Sequence, residues 1–95
     1  MKLQDFHQND KDVSAVNISK DQKATILSIR LLPGAILKKH ITKEPALAVT
    51  QYGDCVYESA DGERVEMKAG DCVYIPANLE HWVEARSETG LLVIK

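Results

Sequence analysis

An all-β single domain is the fold class this sequence predicts, and three observations predict it. Its apolar residues fall in short runs rich in Val, Ile and Leu. Turn-forming residues break those runs every ~8–12 residues, the spacing of a sandwich or barrel. Helical spacing shows only once, where Leu3 and Phe6 share a face near the N-terminus. Ninety-five residues give room for one core and no second. A polar segment, residues 1–12, precedes a single domain over residues 13–95, and is expected to fold over the barrel or fray.

The strands follow in order. Val13 to Ser19 is the first, closed by the polar turn Lys20-Asp21-Gln22-Lys23. Ala24 to Leu32 is leucine-rich and β-branched, and Pro33-Gly34 stops it. Ile36 to Thr42 comes next, then the break at Lys43-Glu44-Pro45, then Leu47 to Tyr52, ended by Gly53-Asp54. Cys55 to Ser59 and Glu63 to Met67 flank Ala60-Asp61-Gly62, a hairpin signal, since Asp-Gly supplies the positive φ angles of a tight turn. After Lys68-Ala69-Gly70-Asp71, Cys72 to Ile75 reads as a fully apolar strand. Pro76 to Glu80 is a loop, and His81 to Ala85 and Gly90 to Lys95 close the chain.

Composition removes several function classes. Twelve basic and fourteen acidic residues leave a net charge of −2 with no polybasic run, so nucleic acid is not an expected partner. No apolar stretch approaches the ~18 residues that span a bilayer, so no membrane partner is expected. The polar N-terminus is not a secretory signal, which makes a cytoplasmic protein with reduced Cys55 and Cys72 the expectation. Cys72, inside an apolar run, should be buried, whereas Cys55 beside a turn should be the more exposed thiol. Tyr52, Tyr57 and Tyr74 read as strand packing.

Two histidines stand in glycine-punctuated frames, Gly34-x5-His40-x-Thr42-x3-Ala46-x6-Gly53 and Gly70-x5-Pro76-x-Asn78-x2-His81-x3-Ala85. These frames resemble the two motifs of the cupin family, G-x5-H-x-H-x3-E-x6-G and G-x5-P-x-G-x2-H-x3-N. Thr42 stands in place of the second His, Ala46 of the Glu, Asn78 of a Gly and Ala85 of the Asn. Asn for Gly is mild, because Asn tolerates left-handed backbone. The resemblance covers residues 34 to 85. It implies a double-stranded β-helix (jelly-roll) barrel in which the two motif strands pair side by side and bring His40 and His81 together inside. It also implies a homodimer, and a divalent transition metal (Zn, Ni, Fe or Mn) wherever the ligand set is intact.

Strand alternation puts Lys38, His40 and Thr42 on one face, and His81, Val83 and Ala85 on another. Ala46, Ala48 and Thr50 would make the neighbouring wall small and roomy, and Trp82 would face away from the interior. His40 and His81 are the two candidate metal ligands in register, with Glu44 a candidate third. Two imidazoles completed by water hold a metal weakly. The competing reading is that both rings simply hydrogen-bond to each other, to water or to backbone. Lys38, His40, Thr42 and His81 together could instead form a metal-free pocket for a small anionic ligand such as a carboxylic or sugar acid. Three functions stay open: a ligand-binding barrel with weak or absent metal, a metal-dependent oxygenase or isomerase using His40 and His81, and a structural or regulatory protein with a packed interior.

Overall fold

The computed structural model describes residues 1–20 and 23–95; Asp21 and Gln22, the centre of the expected Lys20–Lys23 turn, lie outside the described residues. Among the described residues a short 3-10 turn, Leu3–Phe6, precedes nine strands. They are β1 (Val13–Asn17), β2 (Ile26–Leu31), β3 (Ile36–His40), β4 (Ala46–Tyr52), β5 (Asp54–Ser59), β6 (Arg64–Lys68), β7 (Cys72–Ile75), β8 (His81–Ala85) and β9 (Thr89–Ile94). One sheet runs β1-β2-β9-β4-β7 and the other β3-β8-β5-β6, with every pairing antiparallel. The two sheets face each other around one core, as a jelly-roll barrel requires.

Alternation along the strands decides which residues fill that core. In the five-stranded sheet the cross-strand row Ile29, Leu91 and Thr50 is inward, as is the row Leu27, Val93, Ala48 and Val73. The four-stranded sheet answers with Tyr57 and Val83, and with Met67, Cys55 and Ala85. Burial is tightest at the end where Leu31, Thr89, Cys55 and Met67 meet. It loosens toward the other end, where Leu27, Leu37 and Val93 are only half-buried.

The two cysteines are reversed from expectation. Cys55 is buried and Cys72 is exposed. On β7 it is Val73 and Ile75 that pack inward, opposite Ala48 and Ala46, so Cys72 and Tyr74 alternate outward. A run of four apolar residues carries no alternation, so its inward face could not be read from the chain. Tyr74 is 79% exposed and packs into no core, whereas Tyr57 is fully buried. Burial also pushes the Cys55 thiol up in pKa, so it is not an activated thiol.

Gly53, at the end of the first motif, sits at φ +91°, and a side chain there would collide with the Glu88 carbonyl and with Thr89. Only glycine satisfies both the left-handed backbone and that close approach.

The N-terminal segment is clamped onto the outer face of the five-stranded sheet. His7 is buried, with Nδ1 2.8 Å from the Ser14 hydroxyl and Nε2 2.9 Å from the Ser28 hydroxyl. The Arg30 guanidinium donates to the carbonyls of His7, Asn9 and Lys11 at 3.1, 3.2 and 2.8 Å. A neutral imidazole suits this clamp, because one ring nitrogen donates to a hydroxyl while the other accepts. Desolvation first, and the Arg30 charge second, lower the pKa of His7.

The folded ring therefore holds a proton less tightly than the ring of the unfolded chain. Stability is complete above the unfolded value and declines as pH falls through about 6.5. His81, also lowered by burial, contributes with the same sign. His7→Asn should cost about 1–3 kcal/mol at pH 7.5 through its unpaired serine hydroxyl, and should lose less additional stability than wild type between pH 7.5 and 5. Chemical denaturation at the two pH values measures both quantities; equal acid losses in the two proteins would refute the assignment.

Candidate ligand site

The loosely packed end of the barrel opens into a cavity of about 480 Å³. Val13 and Ala15 of β1, Leu27 and Ile29 of β2, Leu37 of β3, Ala46 of β4, Ile75 of β7 and Val93 of β9 form its walls. His40 and His81 stand at its polar end, with Thr42, Lys38, Lys39 and Lys95 also in the lining. A volume of this size, mostly apolar with a few polar groups, is typical of small-molecule sites.

The two histidines are direct cross-strand partners on β3 and β8. Their ring centroids lie 4.1 Å apart, edge to face at 63°. Each ring is fixed by a carbonyl two residues upstream, with His40 Nδ1 2.8 Å from the Lys38 carbonyl of β3 and His81 Nδ1 2.9 Å from the Leu79 carbonyl in the loop before β8. A carbonyl only accepts, so Nδ1 carries the proton in both rings. In the neutral rings Nε2 is then a lone-pair acceptor, and neither Nε2 has a hydrogen-bond partner among the described residues. His81 is 2% exposed. Burial is the main cause lowering its pKa; the Leu79 carbonyl opposes this, and the electrostatic influence of the neighbouring His40 and Lys95 reinforces it. The ring is thereby biased toward its neutral form. Tyr57 packs behind it, ring centroids 5.9 Å apart.

Strict alternation, which puts Lys38, His40 and Thr42 on one face, does not hold. From Leu37 to His40 the chain advances three residues, while its partner moves only from Val83 to His81. One extra residue is thus accommodated as a β-bulge. Leu37 and His40 both turn inward, and Lys38 and Lys39 are both exposed. Lys39 touches the cavity rim, but its ammonium turns outward, 4.9 Å from the centroid of the Trp82 ring, which faces away from the interior as parity predicts. Lys38 reaches the site through its carbonyl grip on His40 and lies on the cavity rim.

Thr42 is beyond the end of β3. Its hydroxyl donates to the Glu44 carbonyl at 2.9 Å, and its own carbonyl accepts from the Asn78 amide at 2.8 Å. Asn78 adopts φ 64°, the left-handed conformation expected where the motif has glycine. This contact joins the two motif loops at the cavity mouth. Of the small residues expected to make the interior roomy, Ala46 lines the cavity, while Ala48 and Thr50 are packed into the core.

The donor set does not fit a tightly held resident metal. Two imidazole nitrogens are present, but Ala46 offers no donor, the Thr42 hydroxyl is committed, and Glu44 is exposed outside the lining. Among the described residues no group of three or more His, Cys, Asp or Glu side chains could hold a metal ion. Two nitrogen donors completed by water make at most a labile site.

The apolar walls from β1, β2 and β9 were not legible in the chain. Val13, Ala15, Leu27 and Val93 read as ordinary strand residues, and only the sheet order β1-β2-β9-β4-β7 places them opposite the histidines. Lys95 was missed for the same reason.

Comparison with known proteins bears on the fold. A cupin superfamily protein from Desulfitobacterium hafniense superposes with a TM-score of 0.85 at 14% identity, over 98% of this chain and 84% of that one. A protein from Thermus thermophilus gives 0.84 at 20% identity, over 99% and 92%. A sugar phosphate isomerase from a cupin superfamily, from Silicibacter pomeroyi, gives 0.75 at 21% identity, over 87% of this chain and 58% of that one. Among curated proteins, no sequence matches this chain at a significant level. The profile of the Cupin domain matches residues 27–94, a span that contains both glycine-framed motifs and the paired strands that carry them. The chain therefore belongs to the cupin family.

Proposed function

We propose that this cupin is a small-molecule-binding barrel whose ligand occupies the cavity headed by His40 and His81, with metal held weakly or not at all. The observation that carries this reading is the cavity itself, about 480 Å³ of mostly apolar space ending on two imidazoles. A barrel packed shut for a purely structural role would not keep such a space, since interiors are otherwise filled to near-crystalline density. The tautomers favour a second reading, a metal-dependent enzyme, because an imidazole held through Nδ1–H by a carbonyl is the usual arrangement of a ligating histidine. Against it stands the donor count of two. Metal binding is therefore placed as incidental to ligand binding, and no chemical step is assigned to it.

Xenon enters open apolar cavities readily, which separates the binding reading from the packed one. Crystals pressurised with xenon should show an anomalous peak among Leu27, Ala46, Ile75 and Val93. Metal analysis of the same preparation after dialysis against a chelator should show well under one transition metal per chain. No xenon site, or a stoichiometric metal that survives the chelator, would contradict the proposal.

The outer face of the five-stranded sheet supports a homodimer. Ile26, Ile94, Leu47 and Tyr74 form one outward row, and Leu92 and Val49 belong to the next. A second copy can meet this face without bringing like charges together, because those six side chains carry none. Light scattering should return twice the 10.6 kDa chain mass for wild type and the single mass for Leu47→Glu, which places a charge at the centre of the face. A monomeric wild type would exclude the dimer.

A further inference from the structure

We infer that the ligand of this barrel is an amphipathic monoanion: an aliphatic or aromatic acid with one anionic head and no series of hydroxyls. The inference rests on the cavity being a small-molecule site and narrows that reading to a chemical class. Two independent features carry it. The first is the wall. Leu27, Ile29, Leu37, Ala46, Ile75 and Val93 come from five strands and present no hydrogen-bonding side chain. The second is the charge at the rim. Lys38, Lys39 and Lys95 line the cavity, and no Asp or Glu does among the described residues. Lys95 is near enough to His81 to lower its proton affinity. The Lys39 ammonium is turned onto the Trp82 ring, which leaves Lys38 and Lys95 as the rim ammonium groups without such an engagement among the described residues.

These features discriminate between the acids that Lys38, Thr42 and the histidines first suggested. A sugar acid would carry several hydroxyls into a cavity whose side chains offer them only the two Nε2 acceptors of His40 and His81, fewer partners than its hydroxyls need. Each one stripped of water without replacement weakens binding roughly fivefold or more. The Thr42 hydroxyl is already committed to the Glu44 carbonyl, so it offers no donor to compensate. An alkyl chain gains instead, roughly fourfold in affinity for each methylene buried. A carboxylate at the rim adds a partly solvated ion pair with lysine, worth up to about fivefold.

The test is a set of titrations of the ¹⁵N-labelled full chain, followed by amide shifts, with butanoate, hexanoate, octanoate, 1-octanol and gluconate. Affinity should climb along the three acids, with shifts at Leu37, Ala46 and Val93. Octanoate should bind up to about fivefold tighter than 1-octanol, and gluconate should leave those amides unmoved. Lys95→Met should bring octanoate down toward the alcohol. Ala15→Trp, which fills the cavity from an exposed wall position, should suppress both. A flat chain-length series, or gluconate binding as tightly as octanoate, would overturn the ligand class while xenon in the cavity would keep the site. No response to any of the five compounds overturns the class as well, and exclusion of xenon would then remove the site with it.

Discussion

The pairing of His40 with His81 across β3 and β8 is the constraint on which the site depends. It is set by backbone register, since the two residues are direct partners across neighbouring strands of one sheet. The bulge between Leu37 and His40 then decides orientation. Without the extra residue, alternation from Leu37 would turn Lys39 inward and His40 outward. With it, an apolar wall residue and an imidazole follow one another into the same cavity, and two lysines are set at or outside the rim. Each ring is locked by a carbonyl of its own chain two residues upstream, Lys38 for His40 and Leu79 for His81. The pair is thus preorganised by local geometry and needs no ligand to hold it.

The chemical character of the site follows from what surrounds that pair. The remaining family ligand positions are occupied by groups that cannot complete a shell: Thr42 is bonded within its own loop and Ala46 is a methyl. The space that chelating side chains would fill is left apolar and partly open. Burial keeps His81 biased to its neutral form, and lysines supply the positive charge at the rim. A ligand of the proposed class would be gripped by excluded water and shape at one end and by charge at the other. The metal-centred chemistry of a complete ligand set has no equivalent support here.

Much of the fold was legible in the chain. Turn residues such as Pro33-Gly34, Gly53-Asp54 and Asp61-Gly62 carry backbone information locally, and the strand boundaries fall within a residue or two of them. Asn78 could be read as left-handed because its side chain tolerates that conformation better than most. The convergence of His40 and His81 came from motif spacing through the family resemblance, because sequence distance alone does not pair strands. What escaped were features set by parity or by the assembled barrel. The bulge has no glycine to announce it, so the shared face of Lys38, His40 and Thr42 was read from an alternation that the strand does not keep, although all three line the cavity. The run Cys72–Ile75 is apolar on both faces, so Cys72 was assigned to the interior and Tyr74 to strand packing, whereas both alternate outward. His7 and Arg30 belong to no motif in the chain, yet each organises the N-terminal clamp through partners distant in sequence.

The most direct test of the account is the protonation of the two rings. Long-range ¹H–¹⁵N correlation spectra of the histidine side chains at pH 7.5 report which nitrogen bears the proton. Both His40 and His81 should be Nδ1–H tautomers, with ring-to-ring nuclear Overhauser contacts between them. An Nε2–H tautomer at either ring, or the absence of any contact between the two, would contradict the paired, carbonyl-locked arrangement and the cavity chemistry built on it.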